Sequence, residues 1–480
     1  MKGVIAMRTS GQKLRLAGAC LVAATVATAA DWPQFTGPHG DNTTVTPPLA
    51  DAWPTGGPTL VWTTNIEGAV NGKTFRDVPG WFASPVVAGD RVFVIGRRYE
   101  LPDDPASKQF KSTPDVLHCM NAADGKELWQ RDIPVRGAIN PRHRQGEYFM
   151  SCWITPTADG DRLYARGSDG EVFCLNVKDG SVVWHWPEAD ADAAKLDQQG
   201  YWVAAPGVIA EGLFICNEIG GGNSRMIALD KLTGALRWRG KDTPDWGWSA
   251  SGIVPMTLGG RTVLLTSDIA VDAKTGEDLI QRIAPDGKPR RTWEPGKIEW
   301  VSVAHGNRLL TGLTREVQVT GAAGDTKKEQ RNGVMLAEFS FGTNGLLVVR
   351  SVWEHMEQGA AGGGNAKAYG GPVLAGDYAY VFVGQNTENS LLCLRLGDGA
   401  EQWRAKLKHG LGYANVAAAD GKLYYQWNGQ LSMVALDPKG YSELDSAKVA
   451  GEGMSSVAIA GTRLYLRDDA GKVLCLELGK

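Results

Sequence analysis

CWITPTADGDRLYARGSDGEVFCLNVKDGSVVWHW, from Cys152 to Trp186, decides the fold. ITPTA is a short strand, ADGD a turn and RLYARG a second strand with apolar residues at alternate places. SDG is a hairpin, EVFCLNV a third strand, KDG another turn and SVVWHW a fourth. Four strands of five or six residues cannot bury both faces alone, so the unit needs neighbours of its own kind.

Those neighbours are present. Strand-turn-strand openings similar to TPTADGDRLYA recur as SPVVAGDRVFV from Ser84, APGVIAEGLFI from Ala205, SGIVPMTLGGRTVLL from Ser251 and VSVAHGNRLL from Val301. They continue as GPVLAGDYAYV from Gly371, NVAAADGKLYY from Asn415 and SVAIAGTRLYL from Ser456. Eight openings at a mean spacing of roughly fifty residues predict an all-β, eight-bladed β-propeller of four-stranded blades. The second half of most units closes with Gly and, four residues on, Trp: Gly125 and Trp129, Gly180 and Trp184, Gly234 and Trp238, Gly399 and Trp403. After Gly276, Gly345 and Gly440 the same place holds Ile280, Val349 and Leu444, which keeps an apolar residue without the indole.

The eighth unit ends at Leu478-Gly479-Lys480 before a fourth strand, while an orphan strand, TLVWTTNI, stands at 59–66. The expected closure has this N-terminal strand completing the last blade, leaving only short edges exposed. The expected domains are a signal peptide at 1–30, an irregular Pro/Gly-rich strap at 31–58 lying on the ring, and the propeller at 59–480. The unit at 301–353, with its charged stretch GDTKKEQRNG, is the most degenerate, and a seven-bladed ring follows if it fails to form.

Residues 1–30 carry Lys2, Arg8, Lys13 and Arg15, an apolar run from Leu16 to Val26, and ATAA before Asp31. That pattern reads as a secretory signal, the apolar run being far too short to span a bilayer. A periplasmic or extracellular location follows. Lipid anchoring through Cys20 is the alternative, but in LAGAC the Leu stands four residues upstream rather than three. The formal net charge is −3. Removing the four basic and no acidic side chains of the signal takes it to −7, and no basic cluster offsets this, so nucleic-acid binding has no electrostatic support.

Six cysteines follow residue 30. Cys119, Cys174, Cys393 and Cys475 occupy one position in different blades, too far apart to bridge, and read as small buried apolar residues. Cys152 and Cys216 are left as a possible pair. No CxxCH and no zinc-ligand spacing occurs. GAAGGGNAKA, inside the insertion at 357–367, reads as a flexible loop rather than a phosphate loop. Further insertions stand at 99–115, 136–150, 187–200, 284–296 and 321–332.

One constellation stands out from the repeat. Just before each first strand is a large side chain: Trp81, Trp153, Trp202, Trp248, Trp300, Tyr369, Tyr413 and Met454. Because the first strand of a blade is innermost, these predict a ring around one mouth of the central channel. The ring reads either as a structural collar or as a stacking platform for a flat ligand, a sugar or an extended peptide, with Arg142, His143 and Arg144 above it. The arginines would pair with an anionic ligand or form a solvated loop. Trp62, Trp129, Trp184, Trp238 and Trp403 read as packing between blades.

The GDRVFV, LNVKDGSVVW and ALDKLTGALRW patterns resemble the pyrroloquinoline-quinone (PQQ) repeat superfamily of eight-bladed propellers, and DWPQFTGPHGD is similar to the leader of its exported bacterial members. The resemblance covers about residues 31–480. The superfamily contains quinoprotein dehydrogenases and also non-enzymatic scaffolds such as the barrel-assembly lipoprotein BamB. The dehydrogenase branch implies PQQ on the axis, stacked on a Trp, with Ca2+ and an Asp base. Asp245 in TPDWGW is the candidate base if the chain is an enzyme, and a turn Asp after Pro otherwise. NEIGGGN, with Glu218 and Asn223, is the nearest oxygen cluster for Ca2+ and also reads as a turn. The vicinal disulfide and haem motif of that branch are missing.

The expected function is therefore an exported, non-enzymatic binding or scaffold module of the cell envelope, monomeric and without metal or cofactor. Its expected partner is an envelope protein or extended peptide, with no nucleic acid and no transmembrane segment. The alternative is a PQQ-dependent dehydrogenase acting on an alcohol or sugar. Blade edges offer a further route to a partner, by strand addition.

Overall fold

In the computed structural model the repeat folds into an eight-bladed propeller of antiparallel sheets. The described residues are 31–66, 68–70, 73–79, 83–100, 111–136, 138–139, 155–189, 192, 197–198, 206–220, 223–241, 243–244, 252–266, 269–280, 297–320, 326–357, 371–385, 388–409, 415–451, 455–468 and 471–480.

Blade 2 shows the pattern, running outward from Thr157–Asp159 through Arg162–Arg166 and Val172–Asn176 to Val182–Trp186. The three inner strands are almost wholly buried, because neighbouring blades cover both faces. Blade 8 is completed by Thr59–Asn65, which pairs antiparallel with Lys472–Glu477, so both ends of the chain seal the ring as the orphan strand predicts.

The unit expected to be degenerate is the most extended. Blade 5 comprises Lys297–His305, Arg308–Thr320, Thr326–Phe341 and Leu347–Met356, so the ring has eight blades, not seven. The reduced blade is the fourth. Val254–Leu258, Arg261–Leu265 and Ala270–Asp272 form three strands, and the fourth shrinks to a bridge between Val271 and Asp278.

The joints explain the Gly and Trp pattern. Each indole packs on the turn glycine of the next blade, not on the glycine four residues before it. Trp62, Trp129, Trp184 and Trp238 meet Gly125, Gly180, Gly234 and Gly276 so closely that a Cβ there would fall 2.4–2.7 Å from the ring. Each indole N–H donates to the carbonyl three residues before that glycine, at Ala122, Val177, Lys231 and Ala273. Trp353 meets Gly399 in the same way and donates to Leu396 O at 2.8 Å. Blade 5 therefore keeps its indole, eight residues after Gly345. Trp403 donates to Asp437 O, also at 2.8 Å.

The same tryptophans explain the cysteines. Cys119, Cys174, Cys393 and Cys475 stand in cross-strand register between Phe93 and Trp129, Tyr164 and Trp184, Tyr380 and Trp403, and Tyr465 and Trp62. In all four the rings close over the thiol with centroids 5.9–6.0 Å apart. Only a small side chain fits beneath them. Cys216 is also buried and free, and Cys152 lies outside the described residues.

Candidate functional site

The two faces of the ring are built differently. Turns between first and second and between third and fourth strands emerge on one face; the hairpins between second and third strands and the blade-to-blade connections leave from the other. All six insertions belong to the second group: the described strand ends that flank them lie on one face.

The opposite face receives the N-terminal segment. Trp32, fully buried, bridges Val87 on the inner strand of blade 1, and Pro33 O accepts from Ala158 N in blade 2. Asn42 enters the ring. Its amide donates to Pro372 O at 3.1 Å, its Oδ1 accepts from the Asn415 amide at 2.5 Å, and a Cβ on Gly371 would overlap it. Thr44 N donates to Ala418 O and Leu49 N to the Asp420 carboxylate. Lys422, nearly buried, bridges Asp420 and Asp51 at 3.0 Å each. Trp53, also buried, packs in the core shared by blades 7, 8 and 1, and its backbone N–H donates to the Asp445 carboxylate. Asp445 occupies the register place of a joint tryptophan, opposite Met433. Ser84, Asn42, Asn415 and Ser456 are 0–1% exposed, so the strap is closely packed against blades 1, 7 and 8 at the level of the inner strands.

Beneath the insertion face lies a belt of buried polar groups that bind one blade to the next. Asp115 of blade 1 accepts from the backbone N–H and hydroxyl of Ser168 in blade 2 at 2.6 and 2.8 Å. Arg136, at the start of an insertion, donates to both oxygens of the wholly buried Glu171 at 2.6 and 2.7 Å, and its backbone N–H meets Asp169. Burial pushes the Glu171 carboxyl upward, and the guanidinium opposes that shift. Arg166 reaches across to Asn217 in blade 3, and Arg467 to Ile95 O in blade 1 at 2.6 Å. Between blades 5 and 6, Arg404 is clamped by Glu357 at 2.9 and 3.0 Å and by Glu401 at 2.8 Å. These groups were missed from sequence. The available signal was an Arg ending the second strand before an Asp hairpin, in both YARGSDG and YLRDDAG.

Of the mouth ring, Trp81, Trp153, Trp202, Trp248, Tyr369, Tyr413 and Met454 lie outside the described residues, as do Arg142, His143, Arg144 and Asp245. Trp300 falls in the innermost strand of blade 5, where the register breaks between Glu299 and Val303. Glu218 is already committed. It sits 2.8 Å from Arg225 and 2.9 Å from Arg239, so it does not offer calcium an open carboxylate.

A second concavity lies on the outer wall. A groove of about 960 Å³ separates the outer strand of blade 2 from the Thr233–Leu236 turn of blade 3.

Comparison with known proteins agrees with this architecture. Outer membrane protein assembly factor BamB from Yersinia pestis is 24% identical over 189 residues, covering 39% of this chain and 38% of the relative. The dehydrogenase subunit of the quinone alcohol dehydrogenase of Acetobacter aceti is 28% identical over 138 residues, covering 27% of this chain and 17% of the relative. The chain thus spans well under half the length of these curated relatives. Among solved structures, a quinohemoprotein alcohol dehydrogenase from Pseudomonas putida HK5 superposes with a TM-score of 0.54 at 13% identity, over 94% of this chain and 80% of its own. The family described as outer membrane protein assembly factor BamB matches residues 54–212 and 203–405, and the chain belongs to that PQQ-repeat family.

Proposed function

We propose that this protein is a non-enzymatic binding or scaffold module of the cell envelope, exported and acting as a monomer, that presents its insertion-bearing face to a protein partner. The observation that carries the reading is the asymmetry of the ring. All six insertions leave from one face, while the strap packs against the ring from the other. Binding residues concentrate on loops held by a rigid scaffold, and the buried belt under this face holds the insertion roots in place. The similarity to BamB of Yersinia pestis supports an envelope role.

A second reading, a PQQ-dependent dehydrogenase of an alcohol or sugar with Asp245 as base and Trp248 as stacking partner, draws support from the Acetobacter aceti subunit. One experiment separates them. The purified chain is titrated with PQQ and Ca2+ by absorbance, alongside a dye-linked assay over alcohols and aldoses, and an envelope extract is crosslinked to the same protein. The scaffold reading expects no stoichiometric quinone binding, and a crosslinked partner that is lost when the 357–367 insertion is shortened. Tight binding with turnover would sink it.

A further inference from the structure

We propose that the groove between blades 2 and 3 docks an extended, basic peptide segment, which adds as a fifth strand to the outer edge of blade 2. Seven consecutive residues, Val183 to Ala189, form one wall, so the groove follows a strand edge rather than a scatter of side chains. Among the described residues this strand pairs on its inner side only. The groove's volume lies in the range of ligand sites.

Outer strands are ordinarily guarded by charge against such pairing. Blade 6 has that protection: where its register shifts beside Trp403, the two residues are Glu401 and Gln402. The same shift in blade 2, beside Trp184, places Val182 and Val183, exposed by 44% and 41%. Of these, Val183 lines the groove, and Leu236 of blade 3, exposed by 40%, lines its other side. Two of the eight exposed large apolar side chains among the described residues therefore line this one groove, beside a strand edge paired on its inner side only.

Charge selects the occupant. Arg225 and Arg239 neutralise Glu218, and the lining carries in addition the carboxylates of Glu188 and Asp192. A segment alternating apolar with Lys or Arg residues would set its apolar side chains on Val183 and Leu236 and its cations toward Glu188 and Asp192, while its backbone extends the sheet. The groove takes Pro187, Glu188, Ala189 and Asp192 from the 187–200 insertion and the rest of its lining from blades 2 and 3, and its docking is independent of any quinone chemistry.

The test uses the intact chain and a fluorescein-labelled peptide of four Lys-Val repeats, followed by anisotropy. A second probe is the same peptide N-methylated at alternate residues, which keeps its charge but cannot complete a strand ladder. Saturable binding is expected, weakened about tenfold or more by N-methylation and by Glu188→Lys, the scale of one lost charge-assisted contact. Gln402→Lys on blade 6 should leave it unchanged. No saturable binding, equal binding of the N-methylated peptide, or equal losses from Glu188→Lys and Gln402→Lys would each overturn the proposal, the last two by reducing it to diffuse charge attraction.

Discussion

Replacing Gly180 by Ala tests the joints directly, because the structure supplies an internal control. Gly180 has φ +68°, and a Cβ there would stand 2.6 Å from the Trp129 ring, 0.8 Å inside the 3.4 Å at which ordinary contact begins. Gly345 occupies the same turn in blade 5 with φ +77°, but blade 4 supplies no indole and nothing lies within 4 Å of its Cβ. Gly345→Ala should therefore cost only the left-handed backbone penalty, about 1–2 kcal/mol. Gly180→Ala adds the overpacking of a ring held by its 3.2 Å bond to Val177 O and by Phe93 at 5.9 Å, a further 1–3 kcal/mol or so.

Urea unfolding followed by circular dichroism and by indole fluorescence measures both variants, with free energies compared where the two transitions coincide. In a Trp129→Ala background the extra cost of Gly180→Ala should disappear, leaving the Gly345→Ala value. If Gly180→Ala and Gly345→Ala agree within about 0.5 kcal/mol, or if Trp129→Ala gives no relief, the account of the joints is wrong.

Trp53→Ala should cost about 3 kcal/mol, the loss of a buried indole, and should expose the strap to proteolysis before residue 59; a strap that stays resistant would show that Trp53 does not anchor it. The five buried cysteines, Cys119, Cys174, Cys216, Cys393 and Cys475, should be silent toward thiol reagents at neutral pH until the chain unfolds. Burial pushes Cys119, Cys174 and Cys475 up from 9.0 to about 12, and Cys216 and Cys393 to about 11. The folded state thus holds protons that the unfolded state releases near pH 9, so their stabilising contribution is complete below that pH and lost as pH rises toward 12. A stability curve flat from pH 9 to 12 would contradict this. Arg404→Met should destabilise by about 1–3 kcal/mol, less than a fully buried pair because the arginine is partly exposed, since it leaves Glu357 without its guanidinium. Arg404→Met with Glu357→Gln should recover most of that loss in the same unfolding assay.

The blades, their number and the closing strand were legible because each is written in contiguous residues: a period-2 strand, an Asp-Gly turn, another strand. The joints were only half legible. Gly180 and Trp184 lie four residues apart in sequence, yet Gly180 supports Trp129 of the blade before it, and nothing in a linear repeat marks contact at a distance of one period. Trp353 escaped for a related reason. The long strands of blade 5 move the indole from the fourth to the eighth residue after Gly345, while its place in the sheet, opposite Leu336, is unchanged. Glu171 and Arg166 were hidden because a charged residue beside a hairpin reads as solvent-facing until the neighbouring blade is placed over it.

The two joints without a repeat tryptophan show how the ring tolerates loss of its own code. Between blades 7 and 8 the strap adds Trp53 to the shared core, with its backbone N–H held by Asp445. Between blades 4 and 5 no such substitute is present among the described residues. There the Arg261 guanidinium lies 4.9 Å from the centre of the Phe341 ring while pairing with Asp272, and Leu347 N–H crosses to Leu279 O at 2.7 Å. One joint is thus restored by a segment from outside the repeat, the other by a cation over an aromatic face and a single backbone bond. The strap's contacts with blades 1, 2, 6, 7 and 8 then have a mechanical sense: they bind together the side of the ring where the chain ends meet. A closed ring is only as secure as its weakest joint, and noncovalent closure at blade 8 would otherwise compete for that place.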